Sequence, residues 1–144
     1  MHLQLGKRAD YSVRAILHLA MHWDSPGRQK ARVIAEAMDI PDKYLPQVLA
    51  ALARVGLVSS EPGPDGGYRL ATDPASLTLL DVIEAVEGPI VSVECVLRGG
   101  PCHWRDRCAV HETWSQAQDA LRARLDRTTF ADLAAVEASL TAEG

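Results

Sequence analysis

The sequence predicts a mainly α protein with a small β hairpin, arranged as a winged helix-turn-helix plus a long C-terminal dimerisation helix. Three observations predict it. Apolar residues recur at helical spacing in three consecutive short segments near the start. A loop rich in Pro and Gly then separates two short runs that read as strands. Late in the chain comes a longer amphipathic stretch, most simply a seam between two copies.

The first helix covers Tyr11 to Trp23, with Val13, Ile16, Leu17 and Ala20 at helical spacing. Asp24-Ser25-Pro26-Gly27 stops it. A second helix, Ala31 to Met38, uses Val33, Ile34 and Ala37, and Asp39-Ile40-Pro41-Asp42 breaks it. The third runs from Asp42 to Arg54, with Asp42 as N-cap candidate and Leu45, Val48, Leu49 and Leu52 on one face. The short break before it suits a helix-turn-helix. Gly56 closes this helix at its C′ position. Leu57 to Ser60 is the outgoing strand, Glu61 to Gly67 the loop, and Tyr68 to Leu70 the returning strand. A short amphipathic helix, Leu77 to Val86, ends at Gly88-Pro89. A cysteine-bearing loop spans Val93 to Cys108. The long helix follows, Ala109 to Leu125, carrying Val110, Trp114, Ala117, Leu121 and Leu125. Thr128 and Thr129 are cap candidates for a last helix, Phe130 to Leu140. The chain thus divides into a winged helix-turn-helix at 1–75, a linker helix and cysteine loop at 76–108, and the dimerisation and C-terminal helices at 109–144.

Composition narrows the function. The chain is 47% hydrophobic but only 5% aromatic, as expected for closely packed helices. A formal net charge of −4 excludes a strongly basic, histone-like binder, while leaving room for a small basic face. The N-terminal residues lack the apolar run of a signal peptide, and no stretch approaches a membrane span. The expectation is a cytoplasmic protein without a membrane partner. No catalytic dyad or cofactor-binding glycine motif appears, so no small-molecule substrate is expected.

All three thiols, Cys95, Cys102 and Cys108, fall in one short run, CVLRGGPCHWRDRCAVH, with His111 a helical turn further on. An odd count cannot close a disulfide framework within one chain. Thiolates clustered with an imidazole suit an iron–sulfur cluster. Three Cys and one His also suit tetrahedral zinc, although gaps of six and five residues are wider than zinc knuckles use. Unligated thiols are the bland reading, and a Cys108–His111 pair in a redox enzyme is a remote one. Arg98, Arg105 and Arg107 add positive charge that stabilises thiolates. Gly99, Gly100 and Pro101 permit tight turns.

In a helix-turn-helix the second helix enters the major groove by its N-terminal end. Here that end offers Lys43 and Tyr44 for phosphates and Gln47 as a bidentate amide for adenine. Gln29, Lys30 and Arg32 stand at the start of the preceding helix, where backbone N–H groups favour phosphate. Gly66 and Gly67 in the wing allow close approach to a groove, and Arg69 is the nearest base. Glu61 and Asp65 at the wing tip oppose the negative potential of a minor groove.

Taken together, KRADYSVRAILHLA, YLPQVLAALARVGLVSS, GGYRLA, LLDVIEAVEG and the three cysteines resemble the winged-helix regulators typified by IscR and NsrR, the Rrf-two family. The resemblance covers Leu3 to Leu133. It implies a homodimer on palindromic promoter DNA, with an iron–sulfur cluster that adjusts affinity to iron supply, redox state or nitric oxide. It places Cys95, Cys102 and Cys108 on the family's three cysteine ligands. His111 falls on the histidine ligand of [2Fe–2S] members, the favoured type. Asp10 falls on the oxygen ligand used by [4Fe–4S] members, although its spacing from Arg14 also allows an ion pair along the helix. Pro46 departs from the base-reading Glu of IscR, and the wing lacks the usual Arg before its glycines.

Overall fold

The computed structural model describes residues 3–90, 95–97 and 108–143. Its centre is α1, Lys7–Met21, whose Ala15, Ile16 and Leu19 are almost wholly buried. The helix starts four residues before the apolar periodicity does, because Lys7, Arg8 and Asp10 are polar and only Ala9 turns inward. Against α1 pack α2, Ala31–Met38, and α3, Leu45–Arg54. Asp39 ends α2 in the left-handed region at φ 52°, a conformation Asp tolerates better than most residues. Arg14 Nη1 donates to the Met38 and Asp39 carbonyls at 2.7 and 3.0 Å, which satisfies the end of α2.

The third helix begins at Leu45, not Asp42, and Asp42 is not its cap. A helix capped at Asp42 would use the backbone N–H of residue 46 for its first bond, and Pro46 has none. Residues 42–44 instead form a turn, with the Tyr44 N–H on the Pro41 carbonyl at 3.1 Å. Pro46 is then harmless in the first turn of α3.

The wing is an antiparallel hairpin of β1, Val58–Glu61, and β2, Gly67–Leu70, in the register Val58 with Leu70 and Glu61 with Gly67. Gln29 adds a further rung, exchanging backbone bonds with Tyr68 at 2.9 and 2.8 Å. A 3-10 turn at Pro74–Ser76 leads to α4, Leu79–Glu87, which opens with a Thr78/Asp81 capping box. Two more helices follow, α5 at His111–Asp126 and α6 at Phe130–Glu143.

The buried core runs past residue 75. Leu77, Val82 and Phe130 belong to the same cluster as Ile16, Leu49 and Leu52. Phe130 is fully buried, and its N–H bonds the Leu77 carbonyl at 2.8 Å. Thus α6 seals the winged module by packing on α1. In contrast, α5 has no fully buried residue, and Leu121 on it is 40% exposed. No helix among the described residues is long and apolar enough to cross a membrane.

Candidate nucleic-acid interface and metal-binding loop

The turn before α3 presents Lys43 and Tyr44, and the first turn of α3 presents Gln47; all three are exposed. Two ring contacts stiffen this end. The Tyr44 ring stacks on Tyr11 of α1 at 6.2 Å, and Lys43 Nζ lies 4.9 Å from the centre of the Tyr44 ring. The front of the reading helix is therefore braced against the core helix while its polar groups stay free.

Other residues singled out from sequence have internal partners. The Gln29 amide oxygen meets buried His18 Nε2 at 3.1 Å, so that side chain points inward and lies before α2 rather than on it. Lys30 Nζ donates to the Gly63 and Pro64 carbonyls at 3.1 and 2.8 Å, tying the wing tip to the start of α2. Arg69 is half-buried and donates to the Trp23 carbonyl at 3.2 Å. A side chain at Gly66 would strike the Glu61 and Pro62 backbone, and one at Gly67 would stand 2.5 Å from the Gln29 carbonyl oxygen. These glycines serve the protein's own close packing. Arg32 is exposed and has no hydrogen bond to a described residue.

Sequence reasoning missed Arg28. Its Nη1 donates to the Ser59 carbonyl and hydroxyl at 3.0 Å, and Nη2 lies 3.6 Å from Glu61. The wing carboxylate thus has a counter-charge. Residues this far apart in sequence carry no local signal of pairing.

Of the proposed metal ligands, Cys95 and Cys108 are free thiols of intermediate exposure, while Cys102 lies outside the described residues. Cys108 and His111 share one turn at the head of α5: the His111 N–H reaches the Cys108 carbonyl at 3.4 Å. Cys108 itself precedes the helix, three residues before His111. Asp10 is differently placed. Arg14 donates to both of its carboxylate oxygens, at 2.9 and 2.6 Å. Those hydrogen bonds hold the carboxyl below the usual carboxylate range. Among the described residues no three Cys, His, Asp or Glu side chains converge. The donor chemistry of Cys95, Cys108 and His111 fits an iron–sulfur cluster; Asp10 fits it only once Arg14 lets go.

The segment's root is held as well. The Ile90 N–H donates to Glu84 Oε2 at 3.0 Å, and Arg122 Nη2 donates to Glu84 Oε1 at 3.1 Å. Both hydrogen bonds keep the Glu84 carboxyl below its ordinary value, the Ile90 backbone bond most of all. One carboxylate therefore joins α4, α5 and the start of the cysteine-bearing segment.

Residues 5–136 match the family model Rrf2, iron-dependent transcriptional regulator. The chain belongs to the Rrf2 family. It is 34% identical over 131 residues to the HTH-type transcriptional regulator IscR of Escherichia coli, covering 91% of this chain and 80% of that protein. The fold is similar to that of CymR, the global cysteine regulator of B. subtilis, with TM-score 0.79 and 32% identity over 94% of this chain and 98% of that one. It is also similar to T. potens IscR, with TM-score 0.71 and 28% identity over 92% and 87% of the two chains. Membership makes this Rrf2 protein a DNA-binding transcriptional regulator and not an enzyme.

Proposed function

We propose that this regulator acts as a homodimer whose affinity for palindromic promoter DNA is set by an iron–sulfur cluster. Cys95, Cys102 and Cys108 hold the cluster, with His111 as fourth ligand and Asp10 as the alternative. The observation that carries this reading is Cys108 and His111 on one turn at the head of α5. The grip of Arg14 on Asp10 supports His111, and hence [2Fe–2S] over [4Fe–4S]. When bound, the cluster supplies a centre whose stability responds to iron supply, redox state and nitric oxide. A neutral imidazole is a weaker and more readily displaced ligand of iron than an anionic thiolate, which suits a sensor.

Lys43, Tyr44, Gln47 and Arg32 form the DNA face in this reading, with the wing steadied behind them by Lys30 and Arg28. Apolar residues on α5 and α6 remain for a partner: Leu121 is 40%, Val136 54% and Leu140 59% exposed. In the dimer the two reading helices address half-sites about one helical turn apart. A change at the head of α5 is carried to them through α4 by the Glu84–Arg122 pair.

Protein purified without oxygen should contain iron and acid-labile sulfide and absorb visible light. Cys102→Ala should remove both colour and iron. Colour and iron retained in that variant refute the ligand assignment. Three Cys and one His also suit tetrahedral zinc, which gives a second reading, a zinc-stabilised or cluster-free regulator. Colourless wild-type protein, with or without zinc, supports it.

A further inference from the structure

A cavity of about 650 Å³ opens between α1, α3 and the end of α4. None of its lining residues belongs to the wing. Its wall is apolar, made by Val48, Ala51 and Val86, with the Tyr11 and Tyr44 rings beside them. Around it stand three cations, Lys7, Arg8 and Arg54, none bonded to a described residue. No carboxylate among the described residues lines it. The acids nearest in sequence are engaged: Asp10 by Arg14, and Glu87 by the Gly6 N–H at 2.6 Å.

Two further features border the cavity. Gly6 gives α1 no side-chain cap, and the Glu87 carboxylate on the Gly6 N–H already stands beside the positive end of the helix. Ser12, only 3% exposed, also lines the cavity, and its hydroxyl bonds no described residue. Arg122 Nε is the one buried side-chain polar atom without a partner among the described residues, so the Ser12 hydroxyl still reaches solvent, and a ligand oxygen would replace water there. The volume lies within the usual range for small-ligand sites, and the apolar wall calls for a hydrocarbon or aromatic body.

We propose that this cavity binds a small organic anion, a carboxylate or phosphate monoester with an apolar body. The acid group meets Arg8, Arg54 and Lys7, and the body lies along Val48, Ala51 and Val86. Tyr44 and Gln47 line the same cavity. Its occupant would therefore bias the reading helix, a consequence that rests on the DNA face proposed above. Binding itself does not rest on it.

The test is an amide NMR titration of the full-length protein, without DNA, using 4-phenylbutyrate and benzyl phosphate as probes. Saturable shifts should centre on residues 7–12, 47–54 and 86. The neutral 4-phenylbutanol should bind at least about tenfold more weakly, the loss of one charge-assisted contact. Arg54→Gln should weaken both anions by a similar factor, and Ala50→Phe, at an exposed lining position, should block the cavity without touching the core. Either variant keeps the test valid if the other fails to fold. Equal affinity for the neutral probe, shifts elsewhere, or binding unaffected by both variants overturns the proposal. So does a result in which a DNA duplex perturbs these residues and neither anion does, since the cavity would then seat a backbone phosphate. An Arg32→Gln variant, outside the cavity, that loses DNA affinity but keeps anion binding separates failure of the DNA face from failure of this site.

Discussion

His18 is a polar residue at 4% exposure, and its surroundings decide its chemistry. Its Nε2 meets the Gln29 amide oxygen at 3.1 Å, and His22 stacks on it at 4.3 Å. Burial, first, and the neighbouring His22 push its pKa below the ordinary 6.5, against the Gln29 bond. The unfolded chain therefore takes up this proton more readily than the folded one. Stability is level, as far as this group goes, well above pH 6.5, falls as the pH drops below that value, and levels again only beneath the folded-state pKa. Urea unfolding across that range should show the slope, and His18→Gln should flatten it; an unaltered slope would contradict the assignment. The wing glycines make a second case at this scale. Gly67 has φ 139° and faces the Gln29 carbonyl, so Gly67→Ala should cost about 1–3 kcal/mol in urea unfolding. Sequence revealed that glycine was needed at the hairpin. It did not reveal whether DNA or the chain's own Gln29 required it, because the bridge to Gln29 is long-range. Likewise the spacing of Asp10 and Arg14 allowed an ion pair, but their mutual commitment is visible only in the geometry.

Among the elements, α2 was legible to the residue, since Pro26-Gly27 and Pro41 punctuate it on both sides. Boundaries drifted where punctuation was absent. The start of α1 is polar, and α6 continues to Glu143 through small residues that carry little periodicity. Sequence showed that α6 exists but not where it docks, and docking makes Phe130 a core residue of the winged module. Phe130→Ala should cost about 3–5 kcal/mol, read by urea or thermal unfolding, as truncation of a fully buried aromatic does. A loss under 1 kcal/mol would show that α6 is not part of that core. For α5 the amphipathic pattern and the exposed Leu121 agree. Leu121→Asp should shift the proposed dimer to monomer in light scattering at micromolar concentration, with helix content retained by circular dichroism. An unchanged mass would place the seam elsewhere.

As a whole the molecule carries a net charge of −4 yet belongs to a DNA-binding family, so its contacts with DNA must be few and local. Lys30, Arg28 and Arg69 are spent on holding the wing, which among the described residues leaves Arg32 and Lys43 as the cations of the proposed DNA face. The three thiols read as a candidate donor set because thiolate chemistry follows from residue type and proximity in sequence. Their occupant was not, since the same donors suit iron–sulfur and zinc. In the proposed function that donor set acts on the reading helices through α5, Glu84 and α4. The most direct measurement is DNA affinity under anaerobic conditions, on a duplex enriched from a random library with the wild-type protein. Cluster-loaded wild type and Cys102→Ala should differ by roughly 5–150-fold, a coupling of about 1–3 kcal/mol. Equal affinities, with full iron and sulfide in the wild type and none in the variant, would contradict it.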